Sequence, residues 1–153
     1  GSEYIVYSDL GPDNKFHITK SGLIYSEPAY TGTDYGTHGR GNPISSTPYV
    51  LSGEQGGGTY LTNIIQISSG NYHAMFLTNT GEVYSTGMNS HGTLGCGDND
   101  TSFKTYTPMR VLGGAQGGTY LSNISYLDCG PYSALFVTNS GERMPRGWEP
   151  RTT

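Results

Sequence analysis

Four histidines, His17, His38, His73 and His91, are the side chains of this chain best suited to chemistry. Neutral imidazoles are good Zn2+ ligands, and a zinc ion with an open coordination position activates water for hydrolysis of esters or phosphoesters. On that chemistry His17 and His38 are the candidate catalytic residues, and His17, His38 and His73 the candidate metal ligands for Zn2+. The spacing supports this weakly. No His-x-x-x-His or His-x-Glu pattern occurs, and Asp34 four residues before His38 is a pairing that chance produces often. A second kind of site is suggested by Tyr30, Asp34 and Tyr35, which share a loop-like segment with His38. Amphipathic rings carried on loops suit recognition, so these three are the candidate binding residues.

Other motifs carry less. Asp98-Asn-Asp100 lacks the remainder of a twelve-residue calcium loop. The glycine clusters at Gly56 and Gly117 lead into Thr-Tyr-Leu rather than Gly-Lys-Ser, which argues against a phosphate-binding loop. No Gly-x-Ser-x-Gly elbow is present. Cys96 and Cys129 do not form a Cys-x-x-Cys pair and read as free thiols.

The elements that must position these residues are set by an internal repeat. Asn63-Ile-Ile-Gln-Ile-Ser-Ser-Gly70 matches Asn123-Ile-Ser-Tyr-Leu-Asp-Cys-Gly130, with Tyr4 to Gly11 as a weaker third copy. Each copy is followed by a threonine and then a glycine, at Thr19 and Gly22, Thr78 and Gly81, and Thr138 and Gly141. Thr47-Pro48 likewise matches Thr107-Pro108. Within a unit, short apolar or alternating runs are separated by glycine turns, which is a hairpin pattern without helical periodicity. Units of this size holding several short strands read as β-propeller blades.

In unit two, Gly70-Asn-Tyr-His73, the run from Thr78 to Gly97 and Thr107-Pro108 resemble the regulator of chromosome condensation repeat family. The likeness extends more loosely over residues 4 to 142, and departs where Thr86 stands in place of the family's Trp and Glu27-Pro28 in place of its Trp-Gly pair. Complete members of the family are seven-bladed propellers, so the resemblance implies an all-β, partial β-propeller of about two and a half four-stranded antiparallel blades. The expected divisions are a probable tag scar and start at 1–3, a divergent blade at 4–62, a second at 63–122, a partial third at 123–142 and a non-repeat tail at 143–153. The family also implies protein partners, small GTPases for some members and other enzymes for others.

The repeat gives each histidine a counterpart. His73 stands where the family itself has His, which implies a ring bonded to the backbone of a neighbouring turn, and His91 aligns with Tyr35 in a variable, solvent-facing position. His17 falls opposite Phe76 and Phe136, and His38 opposite Leu94. Burying an imidazole without partners costs on the order of a few kcal/mol. Either unit one is an edge blade with a solvated face, or these histidines form a site. Tyr25 with Tyr84, Tyr60 with Tyr120 and Tyr72 with Tyr132 are register-matched and expected to pack between blades.

The tail changes character, with Arg143, Arg146, Arg151 and the single Trp148 in its eleven residues. A basic tail, a degenerate last strand and foreign sequence read into a shortened gene are all open, and Pro145 and Pro150 argue against a continuing central strand. Across 153 residues only 13% are charged, with net charge −4, which disfavours nucleic acid and anionic membranes as partners. No apolar run is long enough to span a bilayer, and the compartment is open with the cytoplasm slightly favoured. The first reading is therefore a binding or interaction module, holding a protein or small-molecule ligand. Unclosed blades leave unpaired edges, so a homo-oligomer, dimer or trimer, is expected. The alternative is a small zinc-type hydrolase with its site in unit one.

Overall fold

The computed structural model describes residues 5–12, 14–28, 34–97 and 100–147, and Tyr30 lies outside them. Three antiparallel sheets follow one another along the chain. The first holds β1 (Ile5–Leu10), β2 (Asn14–Thr19) and β3 (Ile24–Pro28). The second holds β4 (Ile64–Ser69), β5 (His73–Thr78), β6 (Val83–Met88) and β7 (Lys104–Arg110). The third holds β8 (Ile124–Gly130), β9 (Ser133–Thr138) and β10 (Arg143–Gly147). Among the described residues the middle blade has four strands and the blades on either side have three each, the third being the one expected to be partial. In the first blade the fourth strand is reduced to a single bridge, Tyr25 to Tyr49.

The repeated Thr-x-x-Gly is a hairpin device. Gly22, Gly81 and Gly141 take φ of 85°, 83° and 89°, a left-handed conformation that costs a Cβ-bearing residue energy. The threonine closes each turn: its Oγ1 accepts from the N–H of Leu23 at 3.1 Å, of Glu82 at 3.0 Å and of Glu142 at 3.0 Å. Each first strand also carries a β-bulge at one repeated place, between Ile5 and Tyr7, Ile64 and Gln66, and Ile124 and Tyr126.

Packing is blade on blade. One apolar cluster joins Phe16 and Ile18 of the first sheet to Ile64, Ile67 and Phe76 of the second. A second joins Met75, Leu77 and Val83 to Ile124, Leu127 and Phe136. Alternate residues of β5 thus feed opposite clusters, which is why all six are buried and the strand reads as a continuous apolar run. Phe16 and Phe76 meet edge to face at 5.4 Å. The first strands of successive blades are also tied to one another: Tyr7 OH donates to Ile67 O at 3.0 Å, and the Gln66 amide donates to Leu127 O at 2.8 Å and accepts from Leu127 N at 3.0 Å.

Past Glu142 the chain forms β10, with Pro145 opposite Leu135 on β9, and, as its prolines implied, it is not a central strand. β10 is the edge of its sheet, so the missing N–H of Pro145 removes no ladder bond there. Arg146 falls at the position of Thr86 and donates to Leu112 O at 3.1 Å and Gly113 O at 3.3 Å in the preceding blade. Cys96 and Cys129 are free thiols. Burial pushes the Cys129 thiol up to about 12, against a hydrogen bond with Ser68 that pulls the other way.

Candidate functional site

Of the histidines, His17 lies on β2 with both ring nitrogens engaged. The Ser8 hydroxyl lies 2.7 Å from Nδ1, and Nε2–H donates to Glu27 Oε2 at 2.8 Å. The pairing Ser8 to His17 occupies the register place of Ile67 to Phe76 and Leu127 to Phe136, as the repeat implied. The first blade has replaced an apolar pair with a self-contained polar one.

His38 is fully buried in the segment that follows the first sheet. Its Nδ1 accepts from Arg40 N–H at 2.8 Å, which leaves Nε2–H to donate to Asp34 Oδ1 at 3.0 Å. Burial holds its imidazole below the usual histidine range, opposed by Asp34. Asp34 also accepts from Gly36 N–H at 2.8 Å, so carboxylate and imidazole together fold the loop. That loop docks on the middle blade. Gly36 has φ 82° and lies so close to Thr105 O that no Cβ fits, while Thr86 Oγ1 donates to Gly36 O at 2.8 Å. Thr86, at the position where the resemblance implied Trp, therefore holds the neighbouring loop with a hydroxyl.

His73 opens β5 and is buried, and its Nε2–H donates to Ser133 O of the third blade at 3.3 Å. Burial pulls its pKa down to about 4. The three candidate metal ligands therefore have separate partners. Among the described residues no group of three or more His, Cys, Asp and Glu side chains is placed to hold one metal ion.

What the fold does bring together is a row of rings at one end of the blades. Tyr35 meets Tyr72, in the β4–β5 turn, at 4.5 Å between centroids. His91, in the loop between β6 and β7, meets Tyr132, in the β8–β9 turn, at 5.1 Å. These are one contact made twice, because Tyr35 aligns with His91 and Tyr72 with Tyr132. Tyr72 and Tyr132 stand 6.2 Å apart and join the two pairs into a line across three blades. The three tyrosines are half-buried and His91 is exposed. Lys104 donates to Asp34 O at 3.3 Å beside the row, with Tyr106 5.7 Å below its ammonium.

A second feature was not foreseen from sequence. At the opposite end, Tyr60, Glu82, Tyr84 and Arg110 border a groove of about 470 Å³. Arg110 stacks on Tyr120 at 4.7 Å, approaches Glu82 Oε1 at 3.5 Å and donates its backbone N–H to Glu54 at 2.7 Å. Tyr60, Tyr84 and Tyr120 were expected from the repeat only as rings packed between blades, and nothing in the sequence pointed to Arg110.

Comparison with known proteins places this geometry. Residues 64–93 and 80–137 both match the regulator of chromosome condensation (RCC1) repeat. This chain belongs to that repeat family. It is 34% identical over 146 residues to the ultraviolet-B receptor UVR8 of Arabidopsis thaliana, covering 94% of the chain and 30% of the receptor. It is 31% identical over 87 residues to an RCC1-like G exchanging factor-like protein of Mus musculus, covering 57% of the chain and 18% of that relative. The chain thus spans less than a third of these relatives. Crystal structures of human WBSCR16, at TM-score 0.71 and 20% identity, and of Prp20p from Saccharomyces cerevisiae, at 0.66 and 15%, share the fold. Each match covers 94% of this chain and 33% of the other. No helix among the described residues is long and apolar enough to cross a membrane.

Proposed function

We propose that this repeat-family chain is a protein-binding module whose recognition surface is the ring row of Tyr35, Tyr72, Tyr132 and His91. The observation that carries the reading is the duplicated ring contact, which lines up four rings on loop and turn segments across three blades. Tyrosines pre-set by packing supply large contact area at low entropy cost, which suits the centre of an interface. The segments that carry them are fixed from below by the Asp34–His38 bond and by Thr86. Support also comes from Prp20p, whose structure was described with its binding properties to Gsp1p and histones, and from yeast RCC1 (Prp20) bound to Kap60. A net charge of −4 favours a basic partner such as a histone over an acidic one. The module also self-associates, through Ile5, Leu10 and Tyr126, large apolar side chains exposed on its first and third sheets.

The reading is tested by titrating histones and a Gsp1p-type GTPase, and by selecting binders from a displayed peptide library on the intact chain. Binding should weaken at least about tenfold in Tyr72→Ser and Tyr132→Ser, the loss expected when a central interface tyrosine is truncated. Ligands that bind both variants as well as the parent would sink it.

A further inference from the structure

The blade interfaces inside this chain show what an absent neighbour should look like. Register aligns Ile5 with Ile64 and Ile124, Tyr7 with Gln66 and Tyr126, and Leu10 with Ser69 and Cys129. At each internal interface the earlier blade reaches forward with two side chains. Tyr7 and Asp9 of the first blade bond Ile67 O and Ser69 Oγ of the second, at 3.0 and 2.6 Å. Gln66 and Ser68 of the second bond the backbone of Leu127 and of Cys129 in the third, at 2.8 and 3.0 Å.

The third blade carries the next members of both series, Tyr126 and Asp128, and both are exposed, Tyr126 at 50%. The first blade carries the matching receiving positions. Ile5 is 55% exposed where its counterparts Ile64 and Ile124 are 4% and 3% exposed, and Leu10 is 70% exposed. Exposure of this size at a position buried in both other copies marks a missing neighbour. By contrast Val6 is exposed at 58% and its counterpart Ile65 at 55%, so Val6 faces solvent whether or not a neighbour is present. The hydrogen bonds of the polar pair His17 and Glu27 on the same face close within the first blade, so docking there strands no donor and costs only the desolvation of the half-exposed Glu27 carboxylate.

From these matched ends we infer that the last blade of one copy docks on the first blade of a second copy, head to tail. Tyr126 and Asp128 supply the forward contacts and Ile5 and Leu10 of the second copy receive them. Such a contact is heterologous, so copies either close a ring or extend a chain. The inference rests on the self-association proposed above and specifies its geometry.

Two measurements keep the two apart. Light scattering across a concentration series reads association of any kind, and a monomer throughout would overturn both claims. In a Cys96→Ser, Cys129→Ser background, Leu10→Cys and Asp128→Cys variants are prepared separately, mixed and oxidised. Position 128 repeats position 68, whose partner at 129 repeats position 10, so the mixture should give a covalent dimer that neither variant gives alone. Oligomers that yield no mixed disulfide, or disulfides within either single-variant sample, would overturn the head-to-tail geometry while leaving self-association standing. Tyr126→Ala, a change at an exposed side chain, should raise the dissociation constant about tenfold.

Discussion

His73 is held neutral at the seam between the second and third blades, and that has a pH signature. Its folded pKa is about 4 against an ordinary value of 6.5. Between those values the unfolded chain binds a proton that the folded chain refuses. Stability from this group is therefore complete above pH 6.5, falls as pH drops towards 4 and is level below that. The difference corresponds to about 3 kcal/mol. His73→Asn, which installs the residue of the matching position Asn14, should flatten urea-derived stability over that window. An unchanged slope would mean that His73 is not the group responsible. His38 shifts in the same direction, so the flattening should be partial.

At the scale of elements, the ties between first strands set how firmly blades are joined. Gln66 makes two hydrogen bonds to the backbone of Leu127, and removing its amide leaves a covered N–H without its partner. Gln66→Leu should destabilise the chain by about 2 kcal/mol in chemical denaturation, the cost of stranding a backbone donor beyond the bonds themselves. Ile65→Thr, at the adjacent exposed position, should change stability by less than about 0.5 kcal/mol. The hairpins were legible because their cause is local: a glycine at positive φ and a threonine four residues before the N–H it accepts. Opposition of His17 to Phe76 was legible for the same reason, since register within a hairpin follows its turn. β10 was not, because whether Pro145 is tolerated depends on its strand being an edge, a fact of the whole sheet. The ring row was half legible. Repeat matching paired Tyr72 with Tyr132 and Tyr35 with His91, but that each pair closes across a blade boundary depends on how blades stack. The Arg110 groove depends on three separated segments and left no local pattern to read.

On the scale of the molecule, two apolar clusters share one sheet. The first blade touches only the earlier cluster and the third only the later, whereas β5 supplies Phe76 to one and Met75 to the other. In such a linear array stability is a sum over nearest-neighbour interfaces, so in a dissociated copy an end blade is held by one interface and the middle blade by two. Opening of an end therefore breaks one cluster, while exposure of β5 requires both to break. At concentrations low enough to dissociate copies, amide hydrogen exchange should follow that order, with β5 and β6 slowest, β2 and β9 intermediate, and β1 and β10 fastest. A Phe136→Ala cavity on the third-blade side should cost about 3 to 5 kcal/mol and accelerate exchange in β8 and β9 while leaving β2 close to its parent rate. Equal acceleration in β2 and β9 would show that the three blades open as one unit, and that the shared sheet transmits the loss of one cluster to the other.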